Sequence, residues 1–127
     1  MGITVGRTSF GRDPENSSYH RIALDWTSNA NGVASDTITL AGRLVQVVSV
    51  PTSGSEPTEP WSFRLRDPEN SDLDWLNSKY VQNLTSDSSQ FFLLSDGQQP
   101  VLLGDVQAHV SDAGGSKSGT LYVFLKS

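Results

Sequence analysis

The sequence predicts an all-β domain, an antiparallel β-sandwich or small β-barrel of about seven strands with an extended N-terminal arm. Turn-forming and β-branched residues dominate its 127 residues, which include 19 serines, 9 threonines, 11 valines, 11 glycines and 6 prolines. Apolar and polar residues alternate in several short segments, which is the period of a half-buried strand. Turn signals recur every ~8–12 residues, a spacing typical of sandwiches and barrels.

Length and composition predict one domain and exclude several classes of function. A domain typically has ~100–200 residues. The chain has no cysteine, which excludes disulfides, thiolate zinc sites and a cysteine nucleophile. We expect neither a signal peptide nor a membrane span, because no apolar run has the required length. The net charge is −5 and the nine basic residues are scattered, so direct binding to nucleic acid is not expected.

The predicted elements divide the chain into an extended arm, residues 1–18, and a single β domain, residues 19–127. Glycines, a proline and serines in the first segment suggest an extended arm, which stays loose unless something ties it down. Alternating or continuous apolar residues predict strands at Tyr19–Trp26, Val33–Leu40, Arg43–Val50, Trp61–Leu65, Gln90–Ser95, Val101–Val110 and Thr120–Lys126. Ala41-Gly42 is expected to separate the second strand from the third, and Gly104 to bend the sixth. Asp72–Leu84 fits a short helix and a packed loop equally well.

Several loops carry recognisable turn chemistry. Asn31-Gly32 is a strong hairpin signal, and the proline-rich stretch Pro51–Pro60 predicts a long surface loop. Gly114–Gly119 superficially resembles a phosphate loop but lacks its Gly-Lys-Ser/Thr order, so we interpret it as a hairpin. The sequence RDPENS occurs at both Arg12–Ser17 and Arg66–Ser71. The flanking segments differ, so we interpret the repetition as shared turn chemistry.

The acidic cluster Asp67–Asp74 is the first candidate for chemistry. Oxygen ligands at alternate positions are typical of a calcium loop, but Asp72 and Ser78 stand where an EF-hand needs Gly and Glu. A hydrolase using this cluster would need a second carboxylate or histidine across a cleft. We interpret the cluster as a solvated turn.

The two histidines and three tryptophans are the remaining candidates. His20 and His109 approach each other only if their strands pair, and no other nitrogen or sulfur ligand completes a metal site. Trp26 and Trp61 fall in phase with buried neighbours and are predicted in the core. Trp75 has no clear periodicity, which makes it the best candidate for an exposed or interfacial aromatic. We assign no catalytic, metal-binding or cofactor-binding residue.

A set of motifs resembles a group of small bacteriophage structural proteins over about residues 19–125. The motifs are a strand that ends in Trp-Thr-Ser, a glycine-led apolar strand, a proline-rich loop, a strand before an Asp turn, and a final Ala-Gly…Gly hairpin. In this sequence they lie at Asp25–Asn29, Gly32, Gly42–Val48, Pro51, Pro57–Leu65, Asp67 and Val110–Leu125. Pro68 departs from the glycine that often follows the Asp turn. The resemblance implies a virion structural component, in particular a capsid decoration (cement) protein, and implies no catalytic residue.

The expected function is therefore non-enzymatic. The protein would bind the outer capsid surface, bridge major capsid protein subunits and stabilise the shell, without cofactor, nucleic acid or membrane. It would be located on the virion, and a homo-oligomer, for instance a trimer at local three-fold axes, is expected. The alternatives are a carbohydrate- or receptor-binding β module of a tail and a head–tail connector component. The residues expected to contact partners are Ile3, Val5, Phe10, Trp75 and Tyr80.

Overall fold

The structure is a computed structural model that describes residues 3–10, 19–70, 90–93 and 101–126. Its regular elements are seven strands: β1 (Ile3–Phe10), β2 (Tyr19–Thr27), β3 (Ala34–Pro51), β4 (Ser62–Arg66), β5 (Gln90–Leu93), β6 (Val101–Ser111) and β7 (Ser118–Lys126). The described ranges contain no helix long and apolar enough to cross a membrane. The segment Asp72–Leu84, whose structure the sequence leaves open, lies outside the described residues.

The strands form one antiparallel sheet that curls into a half-barrel, which confirms the predicted all-β class. Their spatial order is β1-β2-β7-β3-β6-β4, and β5 also pairs with β3. The long β3 is central: its first part pairs with β6, and its second part pairs with β7 on one edge and β5 on the other. β1 and β4 stand at the two ends of this order, so among the described strands each has one neighbour.

The core lies on the inner face of the curled sheet and follows from the alternation in the sequence. β7 shows it most clearly, since Leu121, Val123 and Leu125 are at most 1% exposed while the residues between them are half-buried. Trp26 and Trp61, predicted in the core, are buried there with their ring centroids 5.2 Å apart. Burying one large apolar side chain contributes roughly 1.5–3 kcal/mol, so this face dominates the stability of the fold.

Part of the predicted extended arm is a strand of the sheet. Residues 3–10 form β1 and pair with β2 along their whole length, from Ile3 opposite Trp26 to Phe10 opposite Tyr19. Ile3 is buried in the core, and its amide donates a 2.7 Å hydrogen bond to the Asp36 carboxylate. The alternation of Ile3 and Val5 with polar residues is a strand signal that the glycines and serines obscure. Deleting residues 1–18 would therefore remove a strand of the sheet.

The predicted break at Ala41-Gly42 is also wrong, because β3 runs through both residues for 18 residues in all. Ala41 and Gly42 stay in the β6 ladder, opposite Leu103 and Leu102, and this pairing overrides the local tendency of glycine to end a strand. The pairing with β7 begins at Arg43, and a bulge interrupts it between Leu44 and Gln46. The predicted count of seven strands thus survives because one strand is gained at β1 and two merge in β3.

Candidate functional site

Three loops meet at one end of the sheet and are joined by backbone hydrogen bonds. They comprise residues 28–33, 52–60 and 112–117, and we call this region the loop end. Thr58 N–H donates to the Ala113 carbonyl at 2.8 Å, and Ala113 N–H donates to the Gly32 carbonyl at 3.1 Å. Ser118 N–H, at the start of β7, donates to the Ser55 carbonyl at 3.0 Å. The loop end is therefore one connected unit rather than three independent turns.

The hydroxyl of Ser28 holds two of the connections in the loop end. Ser28 is only 1% exposed. Its Oγ donates to the Gly114 carbonyl at 2.6 Å and accepts the Lys117 N–H at 2.8 Å, while its own N–H donates to the Lys117 carbonyl at 2.8 Å. The hydroxyl and the N–H of this buried residue thus both have partners, which is the condition for burying a hydroxyl without a large cost.

Close packing in the loop end explains its small residues. Gly114 has a φ of 83°, and a Cβ atom there would collide with Oγ1 of Thr58. Next to it, Asn29 closes the turn by accepting the N–H groups of Asn31 and Val33 on its side-chain oxygen, at 2.8 and 3.1 Å. The predicted turn at Asn31-Gly32 is therefore confirmed, but the predicted hairpin is wrong, because β7 lies between β2 and β3 in the sheet. The hairpin predicted at Gly114–Gly119 is wrong for the same reason, since β3 lies between β6 and β7.

A second feature lies on the outer face of the sheet, away from the core. In β4, Phe63 and Leu65 are fully buried, so Arg64 and Arg66 between and after them lie on the opposite face. The register places Arg64 opposite His109 of β6. We call Arg64, Arg66 and His109 the basic face.

The guanidinium group of Arg66 is held in a defined orientation. Its Nε donates to the side-chain oxygen of Gln107 at 2.6 Å, and its Nη2 lies 3.3 Å from Nδ1 of His109. Neither Arg64 nor Arg66 makes an ion pair with a carboxylate of the described residues. Arg21, on the outer face of β2, contacts an aromatic ring instead: its guanidinium carbon lies 5.0 Å from the centre of the Tyr122 ring. The basic face thus presents fixed positive charge on a chain whose net charge is −5.

The surroundings of His109 favour its neutral form. Burial lowers its pKa below the ordinary value of 6.5, the charges of Arg66 and Arg64 lower it further, and Asp112 partly opposes them. A neutral ring can accept the hydrogen bond from Arg66 at Nδ1. Because the folded-state pKa is depressed, the stability linked to His109 is complete above about pH 6.5 and is lost as the pH falls through the folded-state pKa.

The other sequence candidates occupy structural roles or lie outside the described residues. Asp67 accepts the N–H groups of Glu69 and Asn70 at 2.9 and 2.8 Å, so its carboxylate caps the predicted turn. Of the acidic cluster, Ser71, Asp72 and Asp74 lie outside the described residues. His20 is on β2 and His109 on β6, two strands that β7 and β3 separate. Within the described ranges, no three His, Cys, Asp or Glu side chains group as metal ligands.

Of the five residues predicted to contact partners, three lie in the described part of the chain and two lie outside it. Ile3 is 8% exposed, so its side chain packs in the core instead of facing a partner. Val5 and Phe10 lie in β1, opposite Leu24 and Tyr19. Trp75 and Tyr80 lie outside the described residues. Sequence reasoning passed over the basic face, although the alternation of Ser62, Arg64 and Arg66 with buried residues is visible in the sequence.

Comparison with known proteins finds distant structural similarities. The sequence matches no protein-family model and no curated protein. The crystal structure of PirA is similar with a TM-score of 0.38 and 14% identity, over 81% of this chain and 92% of that one. PliG of Aeromonas hydrophila, a periplasmic inhibitor of g-type lysozyme, gives a TM-score of 0.39 and 10% identity over 92% and 93%. At these values neither likeness carries an argument about function.

Proposed function

We propose that the protein is a non-enzymatic structural component of a bacteriophage virion that decorates the outer surface of the capsid. It bridges neighbouring copies of the major capsid protein and so stabilises the shell, acting as a homo-oligomer. The proposal rests on the sequence resemblance to small phage structural proteins. The structure contributes the arrangement of the residues that carry this resemblance.

The observation that carries the proposal is that the resembling motifs converge in space. The Trp-Thr-Ser strand end with the nearby Gly32, the proline-rich loop and the final Ala-Gly motif lie in three separate parts of the sequence, yet all contribute to the loop end. Ser28 of the first donates to Gly114 of the Ala-Gly motif, and Thr58 of the proline-rich loop donates to Ala113 of the same motif. Motifs that interlock in this way support a shared fold, and the function itself is proposed from the sequence resemblance.

Two carboxylates of the described residues fit this interpretation because they connect neighbouring strands of the sheet. Asp25 accepts the hydroxyl of Thr120, and Asp105 accepts that of Thr39 at 2.8 Å, each across neighbouring strands. Carboxylates used in this way stabilise strand pairing. A surface that binds by shape and charge needs such a rigid support.

Co-sedimentation with capsids tests the proposal directly. Purified protein is mixed with empty capsids of the phage that encodes it, assembled without this protein, and the capsids are pelleted. We expect saturable binding with a whole number of copies per capsid lattice unit, and an increase in the capsid melting temperature, because a ligand that binds the folded shell stabilises it. Binding to tails or to the portal vertex alone would instead support the alternative of a head–tail component.

The carbohydrate- or receptor-binding alternative depends on exposed aromatic residues. Trp26 and Trp61 are buried in the core and cannot form a platform for a sugar ring. This alternative therefore rests on Trp75, outside the described residues, and no contact in the structure favours it.

A further inference from the structure

We infer that the edge of β4 binds an extended acidic segment of a partner protein, which adds to the sheet as a strand and places its carboxylates against Arg64 and Arg66. This inference names the chemistry of a partner and goes beyond the proposed function. It holds whether the partner is a capsid protein or another polypeptide.

The backbone of β4 supplies the first part of the argument. β4 ends the strand order of the sheet and, among the described residues, pairs with β6 alone. No residue of the described ranges pairs with the other side of β4, and a strand edge in that state presents its backbone N–H and C=O groups. An extended peptide can satisfy these groups by pairing with the edge, which is a common mode of peptide recognition.

The side chains of β4 supply the second part. Arg64 and Arg66 lie on the same face two residues apart, so their charges follow the period of a strand. Arginine binds carboxylates through paired N–H groups. Gln107 and His109 of β6 hold the Arg66 guanidinium on the side of that strand, so a carboxylate must reach across β4 to meet it. In an added strand, residues at alternate positions would face these two arginines.

The other side of β4 defines what the intervening residues should be. Phe63 and Leu65 face the core and are fully buried, so every second residue of an added strand would lie on the core side of the sheet. The preferred segment therefore alternates Asp or Glu with an apolar β-branched residue. A block of consecutive acidic residues would not match, because half of its carboxylates would face the apolar side.

The charge of the whole chain makes this edge selective. With a net charge of −5, most of the surface repels an acidic partner, whereas the basic face attracts it. Asp112 is close enough to His109 to influence its pKa, but Arg64 and Arg66 both act in the opposite sense. Positive charge thus prevails around His109.

Fluorescence polarisation with labelled, end-blocked peptides tests this inference on the full chain. The test peptide carries three acidic residues alternating with valines. One control peptide has the same composition with the acidic residues in one block, and another has N-methyl groups on alternate amides to prevent strand pairing. The double variant Arg64→Gln/Arg66→Gln is compared with Arg43→Gln/Lys126→Gln, which removes the same charge at two exposed residues paired between β3 and β7.

We expect saturable binding of the alternating peptide that weakens with added salt and is at least about tenfold weaker for the β4 double variant, with little change for the control variant. Amide signals of residues 62–66 should shift and gain exchange protection in the complex. The inference is overturned if the block or N-methylated peptide binds equally well, if both double variants lose affinity equally, or if the folded wild-type protein binds no peptide because its own chain occupies the edge. None of these results depends on capsid binding, so this inference and the proposed function fail separately.

Discussion

Replacing Ser28 by alanine should weaken the loop end more than its size suggests. The change removes one hydroxyl that donates to the Gly114 carbonyl and accepts the Lys117 N–H, so two backbone groups lose a partner at once. The Ser28 N–H keeps its bond to the Lys117 carbonyl, so the backbone connection between the two loops remains. The perturbation is therefore specific to the side chain.

The expected cost of this change is about 2 kcal/mol. A typical intramolecular hydrogen bond contributes a net ~0.5–1.5 kcal/mol, and leaving a buried partner unsatisfied costs ~1–3 kcal/mol. Gly114 and Lys117 are half-buried, so water can replace part of what is lost and the lower half of the combined range applies. With a urea m-value of roughly 2 kcal/mol/M, the midpoint of unfolding should fall by about 1 M.

Equilibrium urea unfolding followed by tryptophan fluorescence measures this shift. The matched control is Ser53→Ala, an exposed serine in the neighbouring loop, for which we expect a change within about 0.5 kcal/mol. If Ser28→Ala behaved like this control, the hydroxyl would not connect the loops and the description of the loop end as one unit would be refuted. A changed m-value would instead point to an altered unfolded state.

Four further predictions concern the core, the sheet and the basic face. Trp61→Ala should cost about 3–5 kcal/mol in urea unfolding, since the side chain is fully buried against Trp26, and a loss below 1 kcal/mol would contradict that packing. Gly119→Ala should cost about 1–3 kcal/mol in the same assay, because the added Cβ would lie 3.2 Å from the Trp26 ring, and an unchanged midpoint would show that the space exists. Asp36→Ala should raise the hydrogen-exchange rate of the Ile3 amide about tenfold by NMR, and unaltered protection would mean that the carboxylate does not hold β1. The free energy of unfolding of the wild type should fall relative to His109→Gln as the pH drops below about 6.5, whereas parallel pH profiles would show that His109 titrates normally.

The fold class and most of the strands could be predicted from the sequence because they depend on local alternation. Leu121, Val123 and Leu125 illustrate this, since period two alone identifies their buried face. The joining of β3 could not be predicted in this way. Gly42 weakens a strand locally, and only the long-range pairing with β6 compensates for it. β1 was missed for a related reason, because its pairing partner β2 lies beyond a polar connection.

The candidate site depends even more than the strands on long-range pairing, which local sequence patterns do not predict. Each arginine of the basic face sits at a position that the sequence identifies as the polar side of a strand. What the sequence does not contain is the register of β4 against β6, which places Arg64 opposite His109, and the contacts that orient Arg66. The loop end is similar: its motifs are visible in the sequence, but their mutual hydrogen bonds depend on three loops meeting in space.

The loop end and the basic face are linked by the elements that they share. The loop at residues 112–117 follows β6 directly, and the loop at residues 52–60 leads into β4, so the hydrogen bond between Thr58 and Ala113 ties together the ends of the two strands that carry the basic face. Fixing those ends fixes the register between the strands, on which the Arg66–His109 contact depends. A variant that loosens the loop end, such as Ser28→Ala, should therefore also weaken binding of the acidic peptide while leaving both arginines in place. Undiminished peptide affinity in a measurably destabilised Ser28→Ala protein would show that the two regions act independently.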